Sequence, residues 1–230
     1  MALFKKAARL LRYIIPTLYV TFHYLPLAQA VRLPIVLYRP HLIKCKGKIV
    51  IDTDEPIRTG MIQLGNYSVS IYPNNGITLD IRGTIIFKGA CVISNDSYLS
   101  VGETGTVTIG KRFEANVLKM CCYQSITFQE DVSFGWECLV MDTDFHRLTN
   151  TKGTVEHEVS GRILIESGCW IAARCMIMKN TYLPSKCVVA ARSFLNKHYD
   201  IAPCTMLAGQ PAKVVKEGVF RNISQERQGQ

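Results

Sequence analysis

From Ile165 onward, branched aliphatic residues recur every six positions: Ile165, Ile171, Ile177, Leu183, Val189 and Leu195. One place later stand Glu166, Ala172, Met178, Pro184, Ala190 and Asn196, mainly small or polar. Four places after the aliphatics come Cys169, Cys175, Thr181, Cys187 and Ser193, all small. A period of six fits neither a helix, at 3.6, nor a lone alternating strand, at two. It predicts a three-sided coil in which each side uses six residues. The aliphatic points inward and the small residue sits where the interior narrows at a corner. Stacked coils then hydrogen-bond each strand to neighbours above and below. On this reading cysteine at the corner is a choice of size.

The register extends upstream with one interruption. Ile109, Ala115 and Cys121 are six apart, as are Phe128, Phe134 and Val140. Seven residues separate Cys121 from Phe128, which predicts one bulged residue at that corner. Leu79, Ile85 and Cys91 continue the pattern more weakly. Between Val140 and Ile165 it lapses, so residues 142–162 are expected to leave the coil as a loop, a place where repeat scaffolds often carry function. The expected architecture is an all-β solenoid, a parallel β-helix of hexapeptide repeats, over 49–216. A partly helical N-terminal cap occupies 1–48, and a tail occupies 217–230.

The cap has its own pattern. Residues 1–15 can form a helix with Lys5, Arg9 and Arg12 on one face and Leu3, Ala7, Leu10 and Ile14 on another. From Tyr13 to Val31 no Asp, Glu, Lys or Arg occurs, and Ala28-Gln29-Ala30 stands near the end of the stretch, an imitation of a secretory signal and its cleavage site. Pro16, His23 and Pro26 interrupt that stretch and argue against a signal or a membrane span. A retained cap is expected, and two roles stay open for it: contact with a membrane surface, or simple packing on the end of the coil.

Charge sharpens this picture. The net charge is +9, yet residues 1–51 hold nine Lys or Arg and no acid, so the remaining 18 basic and 18 acidic residues cancel. A basic, apolar segment suits an anionic membrane face. Nucleic acid is not expected, because no recognition helix, zinc motif or RNA-binding aromatic set accompanies the charge. Nine cysteines without C-x-x-C pairs, two of them adjacent at Cys121 and Cys122, read as reduced thiols of a cytoplasmic protein.

Four strings carry a family resemblance: Val140-Met-Asp-Thr-Asp-Phe-His146, Ile165-Glu-Ser-Gly-Cys-Trp-Ile-Ala-Ala173, Val189-Ala-Ala-Arg-Ser193 and Ala208-Gly-Gln-Pro-Ala-Lys-Val-Val215. They resemble the bacterial hexapeptide-repeat acetyltransferases, in particular the branch associated with capsule and other surface polysaccharides. The resemblance is tight over about residues 105–216. It implies a left-handed helix, a homotrimer with active sites between neighbouring subunits, and acetyl-CoA as co-substrate.

Acyl transfer to a hydroxyl needs a base for the hydroxyl proton, a donor for the charge on the thioester oxygen, and a track for the long acyl carrier. The resemblance places His146 at the family's catalytic base, with Asp144 or Asp142 to fix its tautomer. It places the backbone N–H of Ala173 on the thioester oxygen and Trp170 along the acceptor and pantetheine region; Trp136 is a second candidate for substrate binding. Small residues at Ala173 and Ala191 leave a groove for the pantetheine arm, and Lys197, Lys213 and Lys216 match family phosphate contacts. Arg192 departs from the pattern, since relatives carry glycine or another small residue there; it adds a phosphate contact or crowds the groove.

The expected activity is O-acetylation of a saccharide, a surface polymer or its precursor, by direct transfer in the cytoplasm or at the inner face of the membrane. Two alternatives remain: N-acylation of an amino sugar, and a non-catalytic β-helix scaffold. A metal-dependent hydratase is disfavoured, because only His146 and His157 fall in the loop and a three-histidine site needs more. No metal is expected.

Overall fold

A computed structural model describes residues 2–66, 72–155 and 157–223, and for residues 2–12 the helical backbone alone. The chain opens with helix α1 (Ala2–Tyr24) and the single turn α2 (Leu27–Ala30), then winds through short strands around a triangular coil. The first side runs from strand Ile35–Leu37 through Ser133–Phe134, Trp170–Ile171 and Val188–Val189 to Met206–Gly209. The second runs from Pro40–Cys45 through Leu139–Met141 to Phe194–Leu195, and the third from Lys48–Ile51 through Ile163–Ile165 to Tyr182–Leu183. All pairings between coils are parallel. One antiparallel strand, Ala212–Lys216, folds back on Met206–Gly209 and closes the C-terminal end of the first side.

The six-residue period is the inward column of each side. Phe134, Ile171, Val189 and Leu207 stack in register on the first side, Val140, Ile177 and Leu195 on the second, and Phe128, Ile165 and Leu183 on the third. All are buried. The small residues four places on are buried too, and each has hydrogen to give. Cys138 donates to Ala172 O at 3.1 Å, Cys169 to Pro184 O at 3.0 Å and Cys175 to Ala190 O at 3.1 Å, each bridging to the next coil. Thr181, Ser193 and Thr205 turn their hydroxyls to carbonyls of their own corner. The corner position therefore selects a small side chain that can donate. The hydrogen bond with the Cys175 thiol, and then burial, pushes the Cys138 thiol above the ordinary cysteine range, and burial does the same for Cys169, so both stay protonated and serve as donors.

One place before each small residue the backbone takes positive φ: 59° at Glu137, 60° at Arg174 and 60° at Arg192, the same corner on successive coils. A residue other than glycine costs about 1–2 kcal/mol in that region, so glycine at position 192 would relieve strain that Arg192 carries.

Four expectations need correction. The coil begins at Ile35, not at 49, so the cap is only residues 2–34. Helix α1 passes straight through Pro16. Its missing N–H is outweighed by packing of Thr17, Val20 and Thr21 on the coil, where Thr17 Oγ1 accepts the Leu37 N–H at 3.0 Å and so covers the first edge strand. The side-chain faces expected for Lys5, Arg9, Leu3, Ala7 and Leu10 lie outside the described residues. At the interrupted corner, Met120 and Cys122 point inward and Cys121 does not, because Met120 pairs with Leu99 and Val140. The extra length falls at Tyr123–Ser125. Finally, the tail up to Ile223 returns to the coil: Val219 N–H bonds Cys204 O at 2.7 Å. Residues 224–230 lie outside the described residues.

If the corner demands size and a donor, Cys175→Ser should cost about 1 kcal/mol or less, since Ser193 occupies the same position one coil on. Cys175→Leu should cost about 1–3 kcal/mol by overpacking. Denaturant melts of the two variants check this, and equal losses would contradict it.

Candidate active site

The excursion leaves the second side after Met141 and returns to the third side at Ile163. It is a narrow antiparallel excursion: Thr143 bridges Ser160, Thr149 bridges Val155, and Asp144 N–H bonds Val159 O at 2.9 Å. His146 is exposed on it. The preceding Phe145 has φ of 63° and packs edge-on against Tyr123, ring centroids 5.1 Å apart, which turns the chain so that the imidazole faces solvent.

Neither aspartate orients that imidazole. Asp142 is fully buried, and its carboxylate accepts the backbone N–H groups of Tyr123 at 2.7 Å, Gln124 at 2.8 Å and Ser125 at 2.8 Å. It is the peg of the long corner, where three clustered N–H groups would otherwise lack partners. Asp144 binds Lys179 Nζ at 2.6 Å and His157 Nε2 at 3.1 Å. Lys179 also donates to Glu158 O, so this one lysine ties both arms of the loop to the coil. Lys179 chiefly, with His157 adding, holds the Asp144 carboxyl below its ordinary range. The expected aspartate–His146 pair is thus replaced by an Asp144–His157 pair, and no described residue hydrogen-bonds the His146 ring.

The other expected residues gather on the first side. A groove of about 600 Å³ is lined by Trp136, Trp170, Ala173 and Ala191 together with Asn116, Gly135 and Arg221. Trp136 and Trp170 are each 38% exposed, so both lend aromatic surface to it. Trp136, Ala173 and Ala191 are equivalent positions on three successive coils. Their carbonyls or their strands join the ladder, as when Trp136 O accepts from Arg174 and Ala173 O from Arg192. Their N–H groups have no partner among the described residues. The groove is therefore lined by a rising series of N–H donors without partners among the described residues. Gly135 permits it: a Cβ there would sit 2.8 Å from the Ala173 nitrogen.

Arg192, Lys197, Lys213 and Lys216 are exposed but do not line this groove. Lys197 lies over the Tyr199 ring at 5.3 Å, beyond the second side, while Lys213 and Lys216 stand on the closing strand of the first. Sequence reasoning missed Arg221, whose guanidinium lies 5.9 Å over the Trp170 ring. The signal was Val219-Phe220, an apolar pair in a polar tail, with Phe220 packed under Lys186. A second groove, near Asp52, Lys88 and Lys111, is spanned by its own ion pairs and offers little free chemistry. Among the described residues, no group of three or more His, Cys, Asp or Glu could hold a metal ion.

His146 and the groove occupy different parts of the triangle: the loop springs from the corner between the second and third sides, and the groove lies on the first. No residue of 142–162 lines it.

The chain is a left-handed parallel β-helix of hexapeptide repeats, the architecture it shares with solved acyltransferases. The polysialic-acid-specific acetyltransferase NeuO superposes with a TM-score of 0.50 at 18% identity, over 80% of this chain and 88% of that one. The polysialic acid O-acetyltransferase OatWY gives 0.42 at 19% identity over 80% and 88%, and a variant of AntD, an N-acyltransferase from Bacillus cereus in complex with dTDP and coenzyme A, gives 0.44 at 16% over 85% and 86%. No protein-family model and no curated protein matches the sequence. At these identities the likeness carries the fold and leaves the site to its own residues.

The Asp144 anchor has a sign. Its folded pKa lies below the unfolded value, so its contribution is present above about pH 4, the ordinary Asp range, and is lost as pH falls through the lower, folded value. Hydrogen exchange at the Asp144 and Gly161 amides, corrected for intrinsic rate, should stay flat from about pH 7 to about pH 5 and rise only below that. Lys179→Met should raise it already at neutral pH; unchanged exchange in that variant would remove Lys179 as the anchor.

Proposed function

We propose that the protein is an O-acetyltransferase that moves an acetyl group from acetyl-CoA to a saccharide hydroxyl, at sites shared between copies of a homotrimer. The observation that carries this reading is the line of N–H groups at Trp136, Ala173 and Ala191, without partners among the described residues, beside the partly exposed side chains of Trp136 and Trp170. An amide-bearing arm has acceptors for such donors, and a sugar ring has a face for such tryptophans. NeuO and OatWY, which share the fold, are acetyltransferases of a saccharide, and AntD binds coenzyme A.

In this mechanism His146 takes the acceptor hydroxyl proton as the oxygen attacks the thioester carbonyl. The Ala173 N–H receives the oxyanion of the tetrahedral intermediate, whose charge it stabilises more than that of the ground-state carbonyl. Collapse breaks the carbon–sulfur bond, and the proton held on His146 passes to the departing thiolate. Transfer is direct and no cysteine carries the acetyl group: Cys138, Cys169 and Cys175 are buried and do not line the groove. A neighbouring copy would bring its loop, with His146, to the groove that its partner presents on the first side. The basic residues Arg192, Lys197, Lys213 and Lys216, exposed around the C-terminal coils, are then the candidates for the phosphates of the carrier. Nine cysteines without a disulfide support a cytoplasmic setting for this reading.

With acetyl-CoA and a panel of hydroxyl and amino sugars, thiol release should appear with a hydroxyl sugar. His146→Ala should lower turnover about 10²–10⁴-fold, and Ala173→Pro, which deletes one N–H, about 10²–10³-fold, both with intact melting curves. Release with amino sugars alone would turn the reading to N-acylation. Background release throughout, or full turnover in His146→Ala, would leave a scaffold protein or a different base.

A further inference from the structure

Helix α1 packs one face on the coil through Thr17, Val20 and Thr21 and leaves the opposite face apolar. Ile14, Ile15, Leu18, Tyr19 and Phe22 form one stripe there by helical spacing, 38 to 60% exposed. Leu27, 70% exposed, continues it past the helix end. A helix lying on a protein in water ordinarily turns charge outward, yet no Asp, Glu, Lys or Arg occurs from Tyr13 to Val31. None of the described helices is long and apolar enough to cross a membrane.

The surroundings of the stripe are basic. Lys5, Lys6, Arg9 and Arg12 belong to the same helix in sequence. Lys44 and Lys46 are exposed on either side of Cys45, whose carbonyl accepts a hydrogen bond from His23 Nε2 at 3.3 Å, so these lysines stand next to the end of α1. The first acid in the chain is Asp52.

We propose that this end of the coil docks on an anionic phospholipid surface, the stripe entering the boundary between headgroups and acyl chains and the cations meeting lipid phosphates. Charge complementarity selects this occupant. A second copy packed on the same face would oppose nine like charges with no acid in the first 51 residues to pair them. An anionic bilayer supplies both parts of the complement, a dense negative surface and an apolar layer beneath it. The proposal is independent of acyl transfer, because none of these residues belongs to the groove or the loop.

The test is co-sedimentation of the full chain with vesicles of phosphatidylcholine alone and of phosphatidylcholine mixed equally with phosphatidylglycerol. The expected result is binding to the mixed vesicles, weakened by salt, and about tenfold less binding for the double variant Ile15→Gln, Phe22→Gln. That variant should keep the melting temperature and the oligomeric mass, since both residues are exposed. No binding to the mixed vesicles, equal binding to both kinds, or undiminished binding of the variant would overturn the proposal. A change in oligomeric mass in the variant would overturn it as well, by assigning the stripe to a second copy.

Discussion

The structure depends on one constraint: a strand of this coil can satisfy its N–H and C=O groups only through the strands one turn below and one turn above. Parallel pairing of this kind offers no sideways partner, so every side must advance in step with its neighbours. The inward columns of Ile171, Val189 and Leu207, or of Phe128, Ile165 and Leu183, are the packing consequence of that step. Where the chain turns a corner the ladder is incomplete, and the fold resolves this in different ways. On the inside, buried thiols and hydroxyls donate to corner carbonyls. On the outside of the first side, the N–H groups of Trp136, Ala173 and Ala191 are left without a partner among the described residues, in register and in a groove.

The same constraint governs the excursion. Leaving the coil at Asp142 breaks the ladder at the corner it faces, and the Asp142 carboxylate repairs it by accepting three backbone N–H groups of Tyr123–Ser125. The loop is then held by Lys179 through Asp144. Both acids near His146 are thus occupied in keeping the loop where it is. In the proposed mechanism they act at a distance, by positioning the segment that bears the base.

The clean part of the fold was legible because its sides are short. Between Ile165 and Leu195 each side spends two or three residues in strand and shows one inward aliphatic, so the period is undisturbed. Towards the N-terminus the strands lengthen to four or five residues with two inward side chains each, such as Ile85 and Phe87, and alternation by two hides the period of six. That is why the start of the coil at Ile35 and the inward turn of Met120 and Cys122 escaped the pattern. Of the candidate site, Trp136, Trp170, Ala173 and Ala191 were nameable, and they do share one groove. Arg221 was not, because its place depends on a tail that folds back, and the partners of Asp142 and Asp144 depend on which corner each faces. A spacing of two or four residues from a histidine says nothing of that.

The central claim is that a working site takes its base from one copy and its donor groove from another. Mixing two inactive variants tests it most directly: His146→Ala and Ala173→Pro chains, unfolded together and reassembled, or co-expressed. If the site is shared, some mixed assemblies join an intact loop to an intact groove, and acetyl transfer returns to a measurable fraction of the wild-type rate. If activity in the mixture stays at the level of the separate variants although mixed assemblies form, base and groove act within a single chain, and the account is contradicted.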